Sequence, residues 1–173
     1  MKVFFYVMAG VAIILLVFYT YIGGFTAPEV SVITSETKYV AGQPYVGSIK
    51  DEALSKTFQR AAEVLDNNEL EGMLGNIYYN DPDKSGDSLR AFVGVIVPDT
   101  NNITLPAGYE LRAVPGGRQV VRAEVNATIA VAPDKLYAAV FDYAREENLQ
   151  LEDFFVEWFP EDDRGVVEVP VRQ

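Results

Sequence analysis

From Val3 to Ile22 the chain runs 20 residues with Thr20 as the only clearly polar side chain. At about 1.5 Å per residue, a helix of that length reaches roughly 30 Å, the thickness of a bilayer's hydrocarbon core. A signal-peptide core is shorter, about 7–15 residues, and closes on a small-x-small cleavage site. This run closes instead on Thr20-Tyr-Ile-Gly-Gly-Phe25, and the sequence holds no Cys for a lipid anchor. Tyr6, Tyr19, Tyr21 and Phe25 lie toward its two ends, where aromatic rings favour the membrane–water interface. The expectation is an uncleaved single-pass anchor over residues 1–25, with a cleaved signal peptide as the alternative. One span without a charged residue inside it cannot line a transport path by itself.

The remainder is acidic. The chain carries 14 Lys and Arg against 25 Asp and Glu, and Lys2 is the only charge before Glu29, so the part beyond the anchor nets −12. Such a surface repels polyanions, which argues against nucleic acid as a partner and favours small cations and cationic amphiphiles. There is no His and no Cys. That removes His-based general bases, Ser-His-Asp and Cys-His systems and the usual zinc sites, and leaves carboxylates, Tyr, Lys or water for any catalysis. No cofactor and no metal is expected.

Residues 26–29 read as a linker and 30–173 as one domain of two similar halves, repeat one over 30–98 and repeat two over 109–171. In repeat one, 30–33 and 37–49 have strand composition, 51–67 reads as a helix with Leu54, Phe58, Ala61, Ala62 and Leu65 on its buried stripe, and 76–80 and 90–97 form a hairpin. In repeat two, 110–114 and 119–125 are strands, 134–148 is a helix with Leu136, Ala139, Val140, Tyr143 and Ala144 inward, and 154–159 and 166–171 form the closing hairpin. The helices align at an offset of 82 and the following strands, 76–80 on 156–160, at 80. One unit of this kind leaves a sheet face bare, and pairing two buries it. The expected fold is therefore α+β: two pseudo-symmetric strand-helix-hairpin repeats after one N-terminal transmembrane helix, with a groove where they meet.

Two stretches carry a resemblance. Asn76-Ile-Tyr-Tyr-Asn-Asp-Pro82 with Arg90-Ala-Phe-Val-Gly-Val-Ile-Val-Pro98, and Phe155-Val-Glu-Trp-Phe159 with Val167-Glu-Val-Pro-Val171, resemble the two hairpins of the GyrI-like small-molecule-binding domain, an SHS2 pair. The membrane helix followed by Pro28-Glu-Val-Ser-Val32 is similar to a membrane-anchored branch of that family, which includes a testis-expressed ER-phagy receptor. That receptor's role rests on an aromatic-x-x-aliphatic motif. Here Tyr137-Ala-Ala-Val140 fits the pattern only inside the expected helix, so the autophagy role is not expected to carry over. Sidedness stays open: Lys2 ahead of the run points to a cytoplasmic N-terminus with the domain outside, whereas the resembling receptor implies a cytosolic domain.

Glu157 is the leading site residue. Strand alternation sets Phe155, Glu157 and Phe159 on one face and Phe154, Val156 and Trp158 on the other. The offset of 80 sets Ile77 and Tyr79 on the Glu157 face, so the ligand-binding set is Glu157, Tyr79, Phe155, Phe159 and Ile77. A carboxylate among rings suits a cationic aromatic ligand, and the resemblance implies a pocket glutamate at this position. Trp158 and Tyr78 are expected in the core beneath the helices. The functional expectation is a membrane-tethered module binding small cationic or amphipathic ligands. The alternatives are a membrane-anchored protein-interaction adaptor, or a hydrolase of strained electrophiles with Glu157 activating water and Tyr79 donating a proton. Asp81-Pro-Asp-Lys-Ser-Gly-Asp87 opens like a calcium loop, but position 12 is Phe92 rather than Glu, so a hairpin turn is expected there.

Overall fold

A computed structural model describes residues 2–82, 84, 88–160 and 163–172. The N-terminal run is one helix, α1 (Lys2–Tyr21), apolar from Val3 apart from Thr20 and exposed along nearly all its length. The stretch Val3–Tyr21 is long and apolar enough to cross a membrane, a property it shares with signal sequences. The rest alternates strands and helices: β1 (Glu29–Thr34), β2 (Lys38–Gly47), α2 (Glu52–Asp66), β3 (Met73–Tyr78), β4 (Leu89–Val97), β5 (Glu110–Val114), β6 (Gln119–Asn126), α3 (Ala132–Glu146), β7 (Phe155–Phe159) and β8 (Arg164–Pro170). All eight strands join one antiparallel sheet in the order β1-β6-β8-β7-β3-β4-β2-β5. The fold is the expected α+β arrangement of two strand-helix-hairpin units, and it meets at the central β7–β3 pair.

The order carries a twist in connectivity. β1 flanks β6 in the second half, and β5 flanks β2 in the first, so each half lends its leading strand to the other's edge. Only residues 35–37 join β1 to β2, a reach of about 14 Å from Thr34 to Lys38. In a flat sheet the six inter-strand steps between them would span about 29 Å. The sheet must therefore coil until its two ends approach across one face. The 35–37 link meets the 115–118 link there: Ser35 N–H donates to the Arg118 carbonyl at 2.8 Å and Gly117 N–H to the Ser35 carbonyl at 2.8 Å. At Gly116 a Cβ would lie 2.5 Å from Thr37 N and 2.8 Å from the Ser35 carbonyl oxygen, so the crossing needs a glycine.

The two faces are filled differently. α2 and α3 cover one, over a core that includes Leu54, Ala61, Tyr78, Leu136, Tyr137, Val140, Phe155 and Val167. Asp51 caps α2 by accepting from Ala53 N–H at 2.9 Å. α3 starts two residues earlier than its pattern suggested, at Ala132; Pro133 sits in its first turn, and Val131 is the capping position, without a side-chain cap. The coiled, helix-free face holds Val40, Ile77, Phe92, Ile96, Val156, Trp158 and Val166. Cationic side chains roof it: Arg112 stacks 4.0 Å from the Phe92 centroid, and Lys38 lies 4.7 Å from that of Trp158. Trp158 is thus buried, but away from the helices rather than beneath them. The register explains it, since Trp158 pairs with Gly75 and Val166, one position out of phase with the Glu157 face.

Candidate functional site

β7 and β3 are the paired central strands, and their register decides which residues meet. Glu157 pairs with Asn76, Phe155 with Tyr78 and Phe159 with Leu74. Cross-strand partners share a face, so Asn76 and Tyr78 flank Glu157 on the helix side. Ile77 pairs with Val156 and packs with Trp158 on the other side. Tyr79 lies on that same far side, where its hydroxyl accepts from Arg112 at 2.9 Å and its ring meets Phe154 at 5.8 Å. The expected placement of Ile77 and Tyr79 beside Glu157 is therefore corrected. The strand offset of 80 is out of phase with the sheet by one residue, and a one-residue change of register moves every side chain to the opposite face. Glu157 and Tyr79 cannot act as a catalytic pair across the sheet.

Glu157 is 4 % exposed at the base of a cavity of about 360 Å³ between α2 and α3. Asn76 Nδ2 donates to its Oε1 at 3.0 Å and the Tyr78 hydroxyl donates to the same oxygen at 3.2 Å. Oε2 is buried without a hydrogen bond of normal geometry. Burial pushes the carboxyl pKa up, and Asn76, Tyr78 and Tyr137, which favour the charged form, offset part of that push. The Tyr78 phenol is driven well above its ordinary value, first by burial and then by the neighbouring carboxylate, so it stays a donor.

The cavity walls come from both repeats. Phe58 of α2, Tyr137 and Pro133 of α3, Ile129, Phe159 and Pro82 line it with Asn76, Tyr78 and Glu157. Among the described residues lining it, the only other charge is Asp134, and no Lys or Arg is present. Phe155 supports the floor, its ring 5.6 Å from that of Tyr137 and 6.2 Å from that of Phe141. Of the sequence-based set, then, the structure brings Glu157 and Phe159 to the cavity, keeps Phe155 next to it, and separates Ile77 and Tyr79 from it. Asn76, Tyr78 and Tyr137 were missed. Tyr137 stands at helical spacing from Val140, Phe141 and Ala144, a signal that the expected inward set of Leu136, Ala139, Val140, Tyr143 and Ala144 left out, whereas only a correct register could reveal Asn76. Of the hairpin turn expected over 81–87, Asp83, Ser85, Gly86 and Asp87 lie outside the described residues.

No protein-family model matches the sequence, and no curated protein is similar to it by sequence. Solved structures are similar in fold. SAV2435 bound to tetraphenylphosphonium is 12% identical with a TM-score of 0.58, over 83% of this chain and 94% of that one. An integron cassette protein from Vibrio cholerae is 12% identical with a TM-score of 0.61, over 85% and 99%. EcmrR in a DNA complex is 10% identical with a TM-score of 0.57, over 84% of this chain but only 58% of EcmrR. At these identities the likeness is one of fold, and the fold is GyrI-like.

Proposed function

We propose that residues 30–173 form a module that binds small cationic or amphipathic molecules through Glu157, held at a membrane by α1. One observation carries this reading: a buried carboxylate with hydrogen-bond donors but, among the described residues, no cation, at the base of a cavity walled by Phe58, Tyr78, Tyr137 and Phe159. A charged carboxylate in such a place costs several kcal/mol unless a counter-charge arrives. A cation entering the cavity supplies that charge, and each ring it faces adds about 0.5–2 kcal/mol. A cavity of this volume suits a ligand of a few rings. SAV2435, of like fold, takes the aromatic cation tetraphenylphosphonium.

The test is titration calorimetry of the full chain in neutral detergent micelles with tetraphenylphosphonium. Glu157→Gln keeps the shape and removes the charge, and its affinity should fall at least tenfold. Equal affinity of the two proteins would remove Glu157 from the reading. The anchor is tested separately: the full-length chain should remain with membranes through an alkaline carbonate wash, and its release in soluble form would show that α1 does not hold it there.

A further inference from the structure

The end of α1 is fastened to the domain beside the Glu157 cavity. Ile22 closes the helix, and its carbonyl accepts from Thr128 N–H at 3.2 Å. Gly23 has a φ of +81°, and a Cβ there would lie 2.5 Å from the Asn126 carbonyl oxygen and 2.6 Å from Ala127 Cα. The chain then turns back: Gly24 N–H donates to the Tyr19 carbonyl at 2.9 Å, and the Phe25 ring packs edge-on against Tyr19 at 4.9 Å. Lys135 Nζ donates to the Thr26 carbonyl at 2.9 Å. These contacts leave no loose tether, so segment 126–135 sits at the helix end. Tyr19, Tyr21 and Phe25 are the ring types that mark the membrane interface, and the headgroup layer beyond the hydrocarbon is about 5–8 Å deep on each side.

A second cavity begins at this point. It has a volume of about 300 Å³ and is lined by Ala127 and Thr128 at the anchor's end, by Ile129 and Phe159, and by three charged side chains, Asp66, Asp163 and Arg164, of which Arg164 is paired with Glu124 at 2.7 Å. Ile129 and Phe159 also line the Glu157 cavity, so the two spaces share a wall. Ile129 is 52% exposed and makes that wall from a turn.

We propose that the second cavity is an entrance facing the bilayer's interfacial layer, through which amphipathic cations already dissolved in the membrane pass Ile129 and Phe159 to reach Glu157. This rests on the binding reading above and names its ligand class: molecules with an apolar body that partition into lipid and a positive charge that Asp66, Asp163 and then Glu157 attract. The absence of Cys from the sequence makes the geometry directly testable. Ala130→Cys and Lys50→Cys, both at exposed positions, are labelled with bimane in the full chain and reconstituted in phosphatidylcholine vesicles containing brominated acyl chains. Lys50 lies between the end of β2 and the start of α2, at the opposite end of the sheet from segment 126–131. The label at position 130 should lose at least half its emission, and that at 50 should lose little. Equal quenching at the two positions overturns the proposal. In unbrominated vesicles loaded with rhodamine 6G, Pro160→Trp, at a position that lines the second cavity and not the Glu157 cavity, should slow association and dissociation together about tenfold, with the equilibrium affinity changed less than twofold. Unchanged rates in this variant also overturn the entrance, even where Glu157-dependent binding persists and the binding reading stands. Loss of Glu157-dependent binding altogether removes both.

Discussion

Two glutamates on adjoining strands are buried equally and treated in opposite ways. Glu157 on β7 and Glu168 on β8 are each 4% exposed. Glu168 faces the helix-free side and meets Lys38 Nζ at 2.7 Å, a contact that links β2 to β8 across the coiled sheet. Lys38 also stacks over Trp158, so its charge is engaged by both an anion and a ring. Glu157 faces the helices, and its donors among the described residues are neutral. One carboxylate is neutralised within the fold and helps hold the two sheet ends together. The other has, among the described residues, no cation beside it in its cavity, the arrangement on which the proposed cation binding rests.

The largest expected effect breaks the compensated member of this pair. Lys38→Met leaves Glu168 buried without its cation, and removing one partner of a buried pair costs about 3–5 kcal/mol. The measurement is the urea midpoint with an unchanged m value. By contrast, Glu157→Gln should raise stability at neutral pH, by about 1 kcal/mol, because it removes an uncompensated charge and keeps an acceptor for Asn76 and Tyr78. If both variants destabilise alike, the contrast between the two glutamates is wrong. Between these extremes lies Tyr78→Phe, which removes one of the two donors to Oε1. It should leave the fold intact, cost about 1–2 kcal/mol in binding a cation, and drive the Glu157 carboxyl still further up.

The same contrast has a pH signature. Burial raises the folded-state pKa of Glu157 above its unfolded value of roughly 4.3. The folded protein therefore holds that proton more tightly than the unfolded chain. Its stabilising contribution is complete below the unfolded value and is lost as pH rises through the raised folded value. Glu157→Gln lacks this dependence, so its thermal advantage over the wild type should vanish in acid and grow as pH rises from the unfolded value through the raised folded value. Cation binding runs the other way: it needs the charged carboxylate, strengthens over the same rise in pH, and releases protons when measured below the folded value. A stability difference between the two proteins that stays flat with pH would show that the carboxyl titrates normally.

How far this contrast could be read beforehand depended on periodicity. Alternation along a single strand is local, and it correctly separated Phe155, Glu157 and Phe159 from Phe154, Val156 and Trp158. The helices and all eight strands followed from composition and spacing to within a few residues. What alternation cannot supply is the phase between strands, because register is set by turns and by contacts between distant segments. The offset of 80 made Asn76 the equivalent of Val156 and so put it on that residue's face, whereas the sheet pairs it with Glu157. That single step exchanged Ile77 and Tyr79 for Asn76 and Tyr78 in the site. Likewise the exchange of β1 and β5 between halves has no local signal beyond the short 35–37 link and the Pro115-Gly116-Gly117 turn, whose meaning emerges only where the two links cross.

The smallest effect is the one that reports most cleanly on which face is which. Trp158 is the only tryptophan, it lies across the sheet from Glu157, and it sits between Lys38 at 4.7 Å and Arg122 at 5.5 Å. Its emission depends on those cations and on solvent at that face, and none of them touches the helix-side cavity. Saturating the chain with tetraphenylphosphonium, which fills the cavity without absorbing the emitted light, should leave the emission maximum in place. Lys38→Met should shift it, because the nearest charge is gone and the roof over the ring is changed. A ligand-induced shift as large as that of Lys38→Met would mean that the cation binds on the helix-free face. The site would then belong to the Glu168 side of the sheet rather than to the Glu157 side.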